Sequence, residues 1–157
     1  MGRARAALRD SESNYRELFD SNPQPAWVFD TKSLSYLAVN DATLAQYGYS
    51  REEFLAMTIL DIRPPEDKPL LLSQLATLPE GTTNVGTWRH VRKDGTRLLV
   101  ESRGRPLKYG NRAARLVLVT DVTEREGRLA EKRRLDDELE QHRHHLEELV
   151  THRTAEL

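Results

Sequence analysis

From Thr82 to Thr120 the hydrophobic period of the chain is two, broken at Asp94-Gly95 and again at Tyr109-Gly110-Asn111. Asp-Gly adopts the positive φ angles of a tight hairpin, so "NVGTWRHVRKDGTRLLVESRGRPL" reads as two antiparallel strands. "ARLVLVT" adds a third after the second turn. Three consecutive strands with one apolar face cannot stand alone in water. The rest of the chain has to cover that face.

Upstream, "AWVFD" and "SYLAVN" (Ser35 to Asn40) are short aromatic and β-branched runs that read as paired strands. The period then changes to that of a helix. In "NDATLAQYGYSREEFLAM", Asp41 is expected to cap a first short helix showing Leu44 and Tyr47 on one side, and Gly48 to stop it. Ser50 to Glu53, "SREE", is a capping-box signature for a second helix. "PPEDKPLLLSQLATLPEG" places Leu71, Leu75 and Leu78 on one helical face and ends at Pro79 to Gly81. The order is two strands, several short helices and three strands, which is an α+β fold: an antiparallel sheet with helices on one face.

Both ends carry a narrow apolar seam. Ala4, Leu8, Ser11, Tyr15 and Leu18 alternate four and three apart, and "SNPQP" ends that helix because its prolines lack donors and hold the preceding residues out of helical geometry. Beyond Asp121, Leu135, Leu139, Leu146 and Leu149 fall on the a and d positions of one heptad frame, with His142 and Arg153 filling the other positions. The expected organisation is an N-terminal amphipathic helix over 1–20, a core over 21–122 and a coiled-coil linker helix over 123–157. The heptads are still running at Leu157, so an output domain in the same polypeptide is expected beyond them.

Composition narrows the function classes. With 24 Lys plus Arg against 25 Asp plus Glu, no nucleic-acid or membrane surface is expected. No apolar run approaches the roughly 20 residues that span a bilayer, and a cytoplasmic protein is expected. The chain has no cysteine, which excludes disulfides, thiolate metal sites and cysteine catalysis.

"NDATLAQYGYSREEFL", "ILDIRPPED", "WRHVRKDGTRLLVES" and "VTDVTERE" occur in an order that resembles the PAS sensory-box family between about Tyr15 and Arg125. The final "HHLEELVTHRTAEL" resembles the coiled-coil connector that leads from such domains to a histidine kinase or another output. The resemblance implies a five-stranded sheet cupping a small-molecule pocket, dimers formed through the flanking helices, and signals leaving through the terminal helix. Asp121 to Glu124, "DVTE", matches the family's exit motif. Asp121 and Glu124 also have capping-box spacing, so Asp121, Thr123 and Glu124 are expected to form a stiff joint that transmits the signal.

Period two and the family match place Trp27, Phe29, Trp88, His90, Val100, Ser102, Val117 and Val119 inward, with Leu44, Tyr47, Met57, Ile62, Leu71 and Leu75 closing the other side. The pocket expected from these is Phe29, Tyr47, Met57, Leu71, Leu75, Trp88, His90, Val100, Ser102 and Val119. His90 and Ser102 are the two polar members. The expected dimer seam is Leu8, Tyr15, Leu18, Leu135, Leu139, Leu146 and Leu149. In the family's light-sensing flavin branch the adduct cysteine falls at Ile59, which excludes a cysteinyl-flavin here. The haem branch places its axial histidine near Leu71, and no histidine precedes His90, which argues against haem. A noncovalent flavin, a small metabolite and an empty pocket all remain open.

Catalysis finds no support in the sequence. His142, His144, His145 and His152 lack metal-ligand spacing apart from His144 with Glu148, and no metal site is expected. Asp61, Glu66 and Asp67 fit turn and cap roles. No phosphate loop is present. The expected function is a sensing or relay module, with a ligand-free dimerisation scaffold as the alternative.

Overall fold

The computed structural model of the chain describes residues 2–79 and 81–156. Helix α1 (Gly2–Ser21) is followed by β1 (Ala26–Asp30) and β2 (Tyr36–Val39), then by α2 (Asp41–Tyr47) and α3 (Arg51–Leu55). A 3-10 turn at Pro65–Asp67 leads into α4 (Lys68–Thr77), and β3 (Asn84–Val91), β4 (Arg97–Tyr109) and β5 (Arg112–Asp121) complete the sheet. Helix α5 (Thr123–Glu156) ends the chain. The sheet has the order β2-β1-β5-β4-β3 with every pair antiparallel, as the sequence predicts for this class.

Register explains how two distant sequence blocks become one sheet. The β1–β2 hairpin pairs Trp27 with Val39, and the β3–β4–β5 meander pairs Trp88 with Val100 and Ser102 with Val119. The blocks join where β1 meets β5, with Trp27 opposite Val117 and Phe29 opposite Arg115. Gly95 has φ +89, the positive angle that the Asp94-Gly95 turn requires.

Asn40, not Asp41, caps α2. Its Oδ1 accepts from Thr43 N at 3.1 Å and from Ala26 N at 3.0 Å, while its Nδ2 donates to Gln24 O at 2.9 Å. One buried amide therefore satisfies both the start of α2 and the start of β1. Asp41, one residue on, is favoured by the helix dipole and accepts from Arg51 Nη2 at 2.9 Å instead. The Ser50–Glu53 capping box and the Gly48 stop, φ +83, occur where the sequence predicts them.

Trp27, Tyr36, Tyr47 and Phe54 pack edge-to-face under α2 and α3, with ring centroids 5.1 to 6.1 Å apart. Such pairs contribute about 0.5–1.5 kcal/mol each beyond area burial. Val91 N donates to Ile62 O and Lys93 N to Tyr47 O, which fixes the turn at Ile62 and the end of α2 to the edge of the sheet.

The chain divides into two compact units between Asp121 and Val122, and α1 belongs to the first. Within the second unit, α5 has 34 residues and a length of about 50 Å. Arg134 pairs with Glu131 and Glu138 along it, and Arg143 with Glu140. His144 pairs with Glu148 at 3.2 Å on an exposed face. Leu135, Leu139, Leu146 and Leu149 are exposed on α5, and Leu8, Tyr15 and Leu18 are exposed on α1. Tyr15 also borders a groove against the outer sheet face beside Val28, Leu37 and Leu116.

Candidate functional site

A cavity of about 150 Å³ lies between α4 and the inner face of the sheet. The helix supplies Leu71, Gln74 and Leu75, with Leu78 just beyond its end. These positions recur at helical spacing, so one face of α4 is directed at the sheet. The sheet supplies Trp27 and Phe29 from β1, Trp88 from β3, Ser102 from β4, and Arg115 and Val117 from β5. Arg63, immediately before the Pro64–Pro65 turn, closes one side. A larger groove of about 580 Å³ adjoins the cavity, sharing Phe29, Leu75, Leu78 and Arg115 with it and opening past Pro79 and Lys108.

Two glycines make room for the polar wall. A Cβ at Gly104 would lie 2.8 Å from Asn84 Oδ1 and 3.5 Å from Arg115 Nη2. At Gly86 it would lie 3.1 Å from Trp88 Nε1. Arg115 Nη2 donates to Thr82 O at 2.7 Å and to Asn84 Oδ1 at 2.6 Å, and Ser102 Oγ donates to Gly86 O at 3.4 Å.

Arg63 is set differently. Its guanidinium carbon lies 4.9 Å from the centre of the Trp88 ring, a cation–π arrangement, and its buried Nε and Nη1 have no hydrogen-bond partner among the described residues. Burial lowers the pKa of both Arg63 and Arg115, though an arginine remains a cation at any ordinary pH. Asp67, whose charge acts on Arg63, is held by Arg89: Nε donates to its Oδ2 at 2.9 Å and Nη2 to its Oδ1. That pairing holds the Asp67 carboxyl below its ordinary range. Glu66 pairs with Arg97 at 2.8 Å, and Asp61 Oδ2 accepts from Thr58 N at 2.8 Å. Asp61 thus has the expected turn role, while Glu66 and Asp67 join α4's approach to β4 and β3.

Of the ten expected pocket residues, Phe29, Leu71, Leu75, Trp88 and Ser102 line the cavity. Tyr47, His90, Val100 and Val119 are fully buried in the packed core, and Met57 packs partly buried against it. Tyr47 Oη lies 2.5 Å from His90 Nδ1. Burial, and secondarily the charge of Arg63, hold the His90 pKa well below its usual value, while burial pushes the Tyr47 phenol up. The phenol therefore donates to a neutral ring whose proton sits on Nε2, and that nitrogen has no partner among the described residues.

The inward polar set is larger than His90 and Ser102. Arg115 lies two residues before Val117 on the same face of β5, Asn84 lies four before Trp88 on β3, and Arg63 follows the core residue Ile62. Extending the period-two frame to both strand starts would have found the first two. No periodic signal marks Arg63, which lies in a turn.

The cavity volume is about half the lower end of the roughly 300–1,000 Å³ typical of drug-sized pockets. Among the described residues no group of three or more His, Asp or Glu is placed to hold a metal ion, and no helix is long and apolar enough to cross a membrane.

An α+β domain whose antiparallel sheet and short helices border a small cavity with both apolar and polar walls is the class defined here. A family model described as the PAS fold matches residues 19–127, and the chain belongs to that family. It is similar to the PAS domain of an HTR-like protein from Haloarcula marismortui, with TM-score 0.69 and 21% identity over 77% of this chain and 99% of that one. A domain of a sensory box sensor histidine kinase/response regulator from Geobacter sulfurreducens superposes with TM-score 0.62 at 26% identity, covering 73% of this chain and 96% of that domain. The chain is also 28% identical over 119 residues to the methyl sulfide methyltransferase-associated sensor of Methanosarcina acetivorans. That stretch covers 76% of this chain and 12% of the relative's length.

Proposed function

We propose that the chain is a sensing or relay module: its cavity takes a small molecule, and the consequence leaves through β5 and the Asp121-Val122-Thr123-Glu124 segment into α5. The observation that carries this reading is the cavity beneath α4, walled by polar groups on three of the five strands, Asn84, Ser102 and Arg115, and by Arg63 beside Trp88. Pure core would fill that space with side chains, since interiors are packed like crystals of small molecules. The similarity to domains of sensor proteins supports the same reading.

In this proposal the module works in the cytoplasm as a homodimer joined through α1 and α5, and its output, a histidine kinase or another effector, belongs to the same polypeptide. Only Val122 separates the last residue of β5 from the first of α5, which leaves little chain to absorb a movement of the strand. The size of the cavity favours a small metabolite over a flavin. A native mass spectrum and absorbance spectrum of the purified chain test the proposal. A co-purifying small molecule, or one acquired from a metabolite extract, is expected. Repeated absence of any bound species would overturn it in favour of the ligand-free scaffold.

A further inference from the structure

We propose that the cavity is a carboxylate site, taking a short organic acid whose charged end is held by Arg63 and Arg115. This rests on the reading of the cavity as the place where the module takes its ligand. Both arginines are more than nine-tenths buried, at 8% and 6% exposure, and both line the same small space. No aspartate or glutamate lines it among the described residues. Buried charges in folded proteins are paired, because an isolated one loses its hydration without return. Thr82 O and Asn84 Oδ1 satisfy donors of Arg115 but do not neutralise it. Arg63 has even less: the face of Trp88, and an acid already held by Arg89. A guanidinium fork is the side chain best matched to a carboxylate, which it can meet with two parallel hydrogen bonds.

The remaining walls choose among anions. Phe29, Leu71, Leu75 and Val117 offer hydrocarbon contact that inorganic phosphate would leave uncovered, whereas the carbon chain of an organic acid fills it. A space of about 150 Å³, half the lower end for drug-sized ligands, suits a short acid.

Both tryptophans of the chain, Trp27 and Trp88, line the cavity, so their emission reports its occupancy directly. The full chain is titrated at constant ionic strength with acetate, succinate, isocaproate and benzoate, with the matching amides and inorganic phosphate as comparators. At least one acid is expected to give a saturable change, with its amide and phosphate weaker by about tenfold or more, the usual scale of a hydrogen bond to a charged group. Arg63→Gln and Arg115→Gln should each weaken that acid about tenfold, with circular dichroism unchanged. Should either variant unfold, the acid-to-amide ratio on the unaltered chain decides alone. Amides binding as tightly as acids overturn the carboxylate assignment and leave the sensing reading intact. Silence from every acid up to about 10 mM, where a Kd near 1 mM is visible, overturns the assignment. If the native mass spectrum also shows no ligand, the sensing reading falls with it.

Discussion

Tyr47 and His90 form a neutral pair in a fully buried part of the core, and a double-mutant cycle on them has a worked outcome. Tyr47→Phe keeps the ring and removes the donor, leaving His90 Nδ1 buried and unpaired at a cost of about 1–3 kcal/mol. His90→Leu strands the Tyr47 phenol for a similar cost, reduced because it also removes the unpartnered Nε2. The double variant loses both partners together and should lie within about 1 kcal/mol of the parent. Urea unfolding followed by tryptophan emission measures all four corners, since the Trp27 ring lies 5.8 Å from the His90 ring. The pH dependence supplies a second reading. His90 is neutral when folded, its pKa being held down by burial, while the unfolded chain titrates near pH 6.5. The unfolded state therefore binds a proton that the folded state does not. Stability is intact above pH 6.5 and is lost as pH falls towards the depressed folded value. From about pH 7.5 to about 5.5 this loss is about 1.4 kcal/mol, and His90→Leu should lack it. Lowered carboxyls such as those of Asp30, Glu53 and Asp67 titrate at lower pH than this window, and the other four histidines lie exposed on α5. A double variant destabilised by the sum of the singles, or an unchanged acid slope in His90→Leu, would refute the reasoning.

Gly104→Ala pushes a methyl to within 2.8 Å of Asn84 Oδ1, which is itself held by Arg115; a loss of about 1–3 kcal/mol in urea unfolding is expected. Ser50→Ala removes half of the α3 capping box and should cost about 1 kcal/mol by the same assay. Sedimentation of the full chain beside one ending near Arg125 checks the helical seam. The full chain is expected to be dimeric and the shorter one to dissociate more readily, and equal monomeric masses would remove the seam.

Element types and order were legible because each rests on a local rule: period two for the strands, Asp94-Gly95 for the hairpin, Ser50 and Glu53 for a cap, Gly48 for a stop. The α2 cap was misassigned for a non-local reason. Asp41 looks as good as Asn40 in sequence, but an amide both accepts and donates, and this position must answer Ala26 N and Gln24 O at once. The cavity was half legible. A period-two frame finds inward residues but does not separate those that fill the core, such as Val100 and Val119, from those that leave space, such as Ser102 opposite Gly86. Arg63 and Arg115 look like surface residues by type, and only their three-dimensional neighbours reveal that they face inward.

Arg63 connects the two polar parts of the interior: it lines the cavity, and its charge is the second cause that lowers the His90 pKa. An anion bound beside Arg63 would offset that charge without changing the burial of His90. The ring's pKa should then rise, while staying below its ordinary value because desolvation remains the larger cause. The pair to Tyr47 Oη, the other polar group that meets the ring, is untouched by this change and keeps Nδ1 as the acceptor. Imidazole signals of His90 followed by NMR through a pH series, with and without a saturating acid chosen from the emission titration, should show the upward movement in the unaltered chain and none in Arg63→Gln. If occupancy saturates the tryptophan signal while the His90 titration stays fixed, Arg63 does not carry the cavity's charge into the core, and any message to β5 must travel through packing alone.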